Sequence, residues 1–203
     1  MAADDPAARP ERKSDRTREA ILDAARVAFA RKGFTGVTIR DITDLAAVTR
    51  AGFYYYFADK TELFIELGTA TYRQALEVAE AFGELSIPPS HDELAGWVDR
   101  YFAYLDRNGA FVMRSTDDMP TDRKFRAAVA RSHRRAAAAL GERITKIAPA
   151  STDVDPAASG LVVMALLERS WQMVQHNDIA AIPRSAVVAA AVDLLWRSVQ
   201  DLA

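Results

Sequence analysis

The 203-residue chain contains no cysteine, which excludes a disulfide framework, a thiolate metal site and a cysteine nucleophile. Long hydrophobic runs are also missing. The longest strictly apolar stretch, LVVMALL at 161–167, falls far short of the about 18 residues that span a bilayer. The N-terminal MAADDPAARPERKSDR is charged, with no apolar segment of the kind a secretory leader carries. No alternation of apolar and polar residues persists over four or more positions and no repeat is visible, so neither an amphipathic sheet nor a repeat array is expected. His91, His133 and His176 are too dispersed for a metal site, and no nucleophile–base pair or phosphate loop appears. A cytoplasmic protein with no membrane segment, no cofactor and no enzymatic activity is expected.

What is present is helical and apolar. Half the residues are hydrophobic and 27% are charged, enough for a sizeable core. Net charge is −2, unevenly spread: residues 1–60 hold 11 Lys/Arg against 9 Asp/Glu, and the remainder 15 against 19. Five of the ten residues at 9–18 are basic, which permits a local phosphate-binding surface. Residues 1–14 read as a flexible arm. A helix from about Asp15 to Lys32 is closed by Gly33 as a left-handed cap. Thr38 and Asp41 have cap spacing and open a second helix, on which Ile39, Ile42 and Leu45 share a side. Thr49 caps a third. Asp59 with Glu62, and Ser90 with Glu93, have capping-box spacing for the next two. Leu94, Trp97, Val98, Tyr101, Phe102 and Leu105 follow the 3.6-residue period. DRNGAF (106–111) then predicts a break and a short helix over 110–114. Helices over 122–147, from Pro156 to about 175, and from Pro183 to about 201 complete an all-α chain of about nine helices.

The helix from Thr38 and the helix from Thr49 are separated by about three residues, which is helix-turn-helix spacing. The second contains TRAGFYYYF (49–57), with five consecutive aromatic residues. Phe53 and Phe57 are four apart and share a face. Tyr54 and Tyr55 lie about 100° and 200° around the wheel from Phe53 and must leave the core, while Tyr56 sits at the margin between core and surface.

The segment TIRDITDLAAVTRAGFYYYFADKTELF resembles the DNA-binding segment of the tetracycline-repressor (TetR) family over about residues 15–65. That resemblance implies a DNA-binding domain at 15–58 and a ligand-binding and dimerisation domain at 59–203. Thr38 would cap the second helix and hold a phosphate, and Arg40 would lie near the DNA backbone. Thr49, Arg50, Ala51 and Gly52 would start the recognition helix, Tyr54, Tyr55 and Tyr56 would meet phosphate or base edges, and Lys60 another phosphate. Two departures stand out. Ala47 occupies a turn position where the family commonly has glycine, and Gly52 replaces a residue that usually carries a side chain. The function implied is a homodimeric repressor released from a palindromic operator by a small, largely hydrophobic effector. A helical carrier or a partner-binding protein without operator binding is the alternative.

For the effector, aromatic and Met side chains on otherwise amphipathic helices form a candidate lining: Trp97, Tyr101, Phe102, Phe111, Met113, Phe125, Met164 and Trp171. Glu168, Gln172 and His176 are its candidate polar members, with a salt bridge between Glu168 and Arg169 equally consistent with the sequence. Gly160, Leu167, Ala191, Leu194, Leu195 and Val199 are the candidate dimer residues. RSHRR at 131–135 reads as a solvated helix face.

Overall fold

The computed structural model describes residues 8–147, 154–175 and 181–200. It contains α1 (Ala8–Gly36), α2 (Ile39–Ala46), α3 (Arg50–Tyr56), α4 (Lys60–Ala81), a 3-10 turn (Phe82–Glu84), α5 (His91–Asp117), α6 (Arg123–Ile147), α7 (Pro156–Gln175) and α8 (Arg184–Gln200). The described residues include no strand, and none of their helices is long and apolar enough to cross a membrane.

Several helix ends follow the local chemistry. Thr38 and Asp41 form a complete capping box on α2. Ser90 and Glu93 do the same on α5, with Ser90 N donating to Glu93 Oε2 at 2.8 Å and Glu93 N to Ser90 Oγ at 3.3 Å. Asp59 Oδ1 accepts from the backbone amides of Thr61 and Glu62, while Glu62 reaches back to Ala58 N rather than to Asp59. Gly33 has φ 71° and ψ 173°. Its φ is positive as expected, but its ψ is extended, so α1 kinks there instead of ending in a left-handed cap.

Two expectations fail. Helix α1 begins at Ala8, inside the presumed arm; Pro10 falls in its first turn, where a missing N–H costs nothing. The break at DRNGAF is absent and α5 runs on through it. Asn108 is buried and donates to Gln74 Oε1 at 3.0 Å and to Tyr104 O at 3.2 Å. Gly109 faces the Trp171 indole, where a Cβ would lie 2.6 Å from the ring. Both residues that signal a turn locally are used here for packing.

The chain divides into two compact units. The first holds the chain up to Thr69 together with Phe111–Thr121, and the second holds Ala70–Ala110 together with the chain from Asp122 onward. The division falls inside α4 and inside α5, not between residues 58 and 59. In the first unit, Ile21, Ala25 and Phe29 of α1 are buried, as are Ile42, Phe53, Phe57 and Phe64. The Phe29 and Phe64 rings meet edge to face at 4.9 Å, and Phe64 lies 5.2 Å from Phe111. Leu45 is 51% exposed, against expectation: it lies about 110° around α2 from the face defined by Ile39, Ile42, Thr43 and Ala46.

In the second unit the predicted α5 stripe of Leu94, Trp97, Val98, Tyr101, Phe102 and Leu105 is buried in one hydrophobic cluster. Helices α6 and α7 approach backbone to backbone, since a Cβ on Gly141 would fall on the Pro156 carbonyl and one on Gly160 on that of Ala137.

Glu93 gathers four hydrogen bonds, from the amides and hydroxyls of Ser86 and Ser90. The Ser86 hydroxyl first, then the Ser90 amide, hold its carboxyl down to about 2 from an ordinary 4.5. A carboxyl depressed on folding stabilises above its unfolded pKa and loses that contribution as pH falls through the folded one. In thermal unfolding, Glu93→Gln is therefore expected to melt below the wild type at pH 7, with the gap closing between about pH 4.5 and 2.

Candidate nucleic-acid interface

The α2–turn–α3 segment is built on one unusual backbone position. Ala47 closes α2 at φ 53°, ψ 41°, in the left-handed region, with its N–H bonded to Thr43 O. An alanine thus holds the conformation that glycine adopts more easily. Thr49 then caps α3, its hydroxyl accepting from Gly52 N at 3.0 Å.

Phe53 and Phe57 are 0% and 1% exposed, while Tyr54 is 44% and Tyr55 78% exposed, as the helical wheel requires. Tyr56 is half-buried, and its hydroxyl lies 3.2 Å from Ser14 Oγ on α1, so its polar end is tied to the protein. Ser14 had fallen within the supposed arm, and only the continuation of α1 reveals it.

Arg50 and Tyr54 form one unit on the exposed face. Arg50 Nη2 donates to the Tyr54 hydroxyl at 3.3 Å, and the guanidinium carbon sits 5.6 Å from the ring centroid. Ala51 is exposed beside them. A Cβ on Gly52 would sit 3.2 Å from the capping hydroxyl of Thr49, which would have to shift by a few tenths of an ångström.

The two threonines proposed from sequence differ in what they can still offer. Thr38 donates its only hydroxyl proton to Asp41 Oδ2 at 2.7 Å. The bond from Lys32, then that from the Thr38 amide, hold the Asp41 carboxyl well below the usual range. Thr38 is thus fully engaged as a cap. Thr49 only accepts, so among the described residues its proton has no acceptor. Arg40 is exposed, its Nε 3.6 Å from Asp44 of the same helix, a pair of small energetic weight.

Lys60 is placed differently from the sequence reading. Its ammonium donates to Phe34 O and to Val37 O, both at 2.8 Å, and lies 4.6 Å from the Phe34 ring centroid. It closes the α1–α2 loop onto the start of α4. Asp118 grips the same loop, accepting from Thr35 N at 3.1 Å and Thr35 Oγ1 at 2.8 Å. The Thr35 hydroxyl is the main reason its carboxyl is held low. Asp118 was not singled out from sequence, where nothing distinguishes it from Asp117.

The candidate effector residues separate between the units. Phe111 and Met113 belong to the first, where Phe111 packs on Phe29 and Phe64; the continuous α5 carries them there. In the second unit Trp97, Tyr101, Phe102, Phe125, Met164 and Trp171 are buried. Trp97 Nε1 donates to Val78 O and Trp171 Nε1 to Asp106 Oδ1, each at 2.9 Å. Glu168 accepts from the Tyr101 hydroxyl at 3.3 Å and is part-buried. Arg169 turns instead to Gln172, at 2.7 Å.

His176 and the Val199 side chain lie outside the described residues. Of the candidate dimer residues, Gly160, Leu167, Ala191 and Leu195 are buried within their own unit, Gly160 because α6 needs its bare backbone. Leu194 is 57% exposed. RSHRR is not wholly a solvated face: His133 is half-buried, 6.2 Å from the Tyr72 ring, and burial pushes its pKa down.

Comparison with known proteins places these features in a class. Residues 21–67 match the family model described as bacterial regulatory proteins, tetR family. The chain is 31% identical over 136 residues to the HTH-type transcriptional repressor AcnR of Corynebacterium diphtheriae, covering 52% of this chain and 71% of that one. It is 36% identical over 100 residues to the repressor NicS of Pseudomonas putida, covering 49% and 47%.

The chain belongs to the TetR family of bacterial regulatory proteins. It spans about half the length of the first curated relatives it matches. Solved structures share the fold at low identity. A putative fatty acid metabolism regulator of Clostridium perfringens aligns at TM-score 0.68, 18% identity and coverage of 88% and 97%. FadR of Bacillus subtilis, solved in complex with stearoyl-CoA, aligns at 0.65, 17%, and 90% and 99%.

Because Lys60 holds two carbonyls, Lys60→Ala is expected to lower unfolding stability by about 2 kcal/mol. The salt dependence of DNA binding should keep its slope, whereas a lost phosphate contact would flatten it by about one unit. Chemical denaturation and binding isotherms across salt concentrations check both.

Proposed function

We propose that the chain is a homodimeric, sequence-specific DNA-binding transcriptional regulator, a repressor released from a palindromic operator by a small, largely hydrophobic effector. One observation carries the reading. Two fully buried phenylalanines fix α3 so that Arg50, Tyr54 and Tyr55 face outward from the second helix of a helix-turn-helix. In that motif the second helix enters the major groove. Arg50 suits paired bonds to guanine, Thr49 and Tyr55 supply hydroxyls for phosphate or base edges, and Arg40 adds charge at the flank. Lys60 and Thr38 position the motif instead of touching DNA.

Two such helices must reach successive major grooves about 34–36 Å apart, which is the purpose of dimerisation. The face that supports it differs from most of the residues first chosen. On α7, Leu161, Val162, Ala165 and Leu166 are exposed, and on α8, Ala190 and Leu194. Their spacing makes an apolar stripe with small residues for close approach. Leu194→Glu is expected to give a monomer by sedimentation, with operator affinity lost.

Helices α4 and α5 run through both units. A ligand that binds two arrangements of the second unit unequally therefore biases helices that the first unit also contains.

Selection of bound sequences from random DNA tests the reading. Recovery of a two-fold symmetric site is expected; recovery of none sinks it and favours a carrier or partner-binding protein. With a site in hand, Arg50→Ala should relax preference at one position per half-site. Tyr54→Phe, which removes the hydroxyl that Arg50 bonds, should relax the same position, and the double variant should lose less than the sum.

A further inference from the structure

In the second unit two acidic side chains on facing helices have opposite surroundings. Asp106 on α5 is matched: Arg184 Nη1 and Nη2 donate to its two oxygens at 2.6 and 2.8 Å, and Trp171 Nε1 donates at 2.9 Å. Arg184 leads the causes that hold its carboxyl low. Glu168 on α7 accepts a single bond, from Tyr101 at 3.3 Å. Among the described residues no lysine, arginine or histidine pairs with it. Arg169, next to it in sequence, donates instead to Gln172 at 2.7 Å. Burial raises the Glu168 carboxyl above its ordinary pKa, opposed only by the tyrosine bond.

The groups shown to interact with Glu168 are aromatic, Tyr101 and Tyr104. Tyr101 and Tyr104 are buried, with ring centroids 6.0 Å apart, and Trp97 extends the wall 5.5 Å beyond Tyr101. The Tyr104 hydroxyl makes no hydrogen bond among the described residues, and burial first, then the Glu168 carboxylate, push its pKa up. A part-buried acid is favoured by an opposite charge, and among the described residues Glu168 has the Tyr101 hydroxyl but no cation. Aromatic faces beside a carboxylate favour an organic cation, through the ring quadrupole and the opposite charge together. A metal ion is a poor fit, since the described residues hold no cluster of three His, Cys, Asp or Glu side chains.

We infer that Glu168, with the tyrosine and tryptophan wall of α5, is the binding site for a lipophilic organic cation, an amine or ammonium on an apolar body. The inference rests on the proposed regulator only in calling that ligand the effector. It gives the polar end of the effector a sign: positive.

The test uses the full-length protein without DNA and two probes of matched shape and opposite charge, 4-phenylbutylamine, a cation at neutral pH, and 4-phenylbutanoate. Calorimetric titration is expected to show the amine binding at least tenfold tighter than the carboxylate. Glu168→Gln keeps the shape and an acceptor for Tyr101, and should erase that preference by weakening the amine at least tenfold. Tyr104→Phe should weaken the amine less and leave the carboxylate unchanged. A general loss of structure would weaken both probes alike, and near-native melting of each variant separates that case. The inference fails if the carboxylate binds as well as the amine, if Glu168→Gln leaves the preference intact, or if neither probe binds at millimolar concentration. An amine that binds through Glu168 yet leaves the selected DNA bound would establish the site and remove the effector step of the regulator reading.

Discussion

A helix of seven residues has no stability of its own in water, because nucleation costs more than so few hydrogen bonds return. Helix α3 therefore exists only through the burial of Phe53 and Phe57, each worth about 2 kcal/mol against exposure. Everything displayed on its far side depends on those two rings. Their spacing of four leaves Tyr54 and Tyr55 no inward position. The cap at Thr49 fixes where the helix starts, and hence which face Arg50 takes.

Around this short helix, charged groups work mainly as braces. Lys60 and Asp118 hold the α1–α2 loop by its backbone. Asp41 holds the start of α2 and takes Lys32 from α1, at 2.6 Å. Arg18 pairs with Glu66 and covers the Phe57 ring at 5.5 Å. On α2 and α3 the exposed cations are Arg40 and Arg50, and each has only a partner on its own helix, Asp44 and Tyr54. In the proposed regulator, sequence preference then depends on a small number of well-placed groups more than on bulk charge, in keeping with the net charge of −2.

Much of this was legible in the sequence because it is local. Capping boxes and the helical wheel of FYYYF follow from neighbours within four residues, whereas the special turn position at Ala47 was marked only by the resemblance to the family. The sequence is less informative where distant residues decide. Asn108 and Gly109 spell a turn, yet Gln74 and Trp171 make them a continuous helix. Gly160 looked like a site for a second chain, but α6 of the same chain occupies it. Lys60 looked like a phosphate ligand because only its charge was visible, and the carbonyls that take it lie 23 and 26 residues away. The candidate effector lining was readable as aromatic but not as one place, because α5 carries Phe111 and Met113 into the other unit.

The make-up of that first unit has a practical side. It is assembled from two separate stretches, the chain up to Thr69 and Phe111–Thr121. A fragment ending at Thr69 would keep every residue of the motif but lack Phe111 behind Phe64 and Asp118 beneath Thr35. The unit that carries the helix-turn-helix cannot be cut out as one contiguous module. Grafting its specificity onto another scaffold means carrying a second, non-adjacent segment along with it.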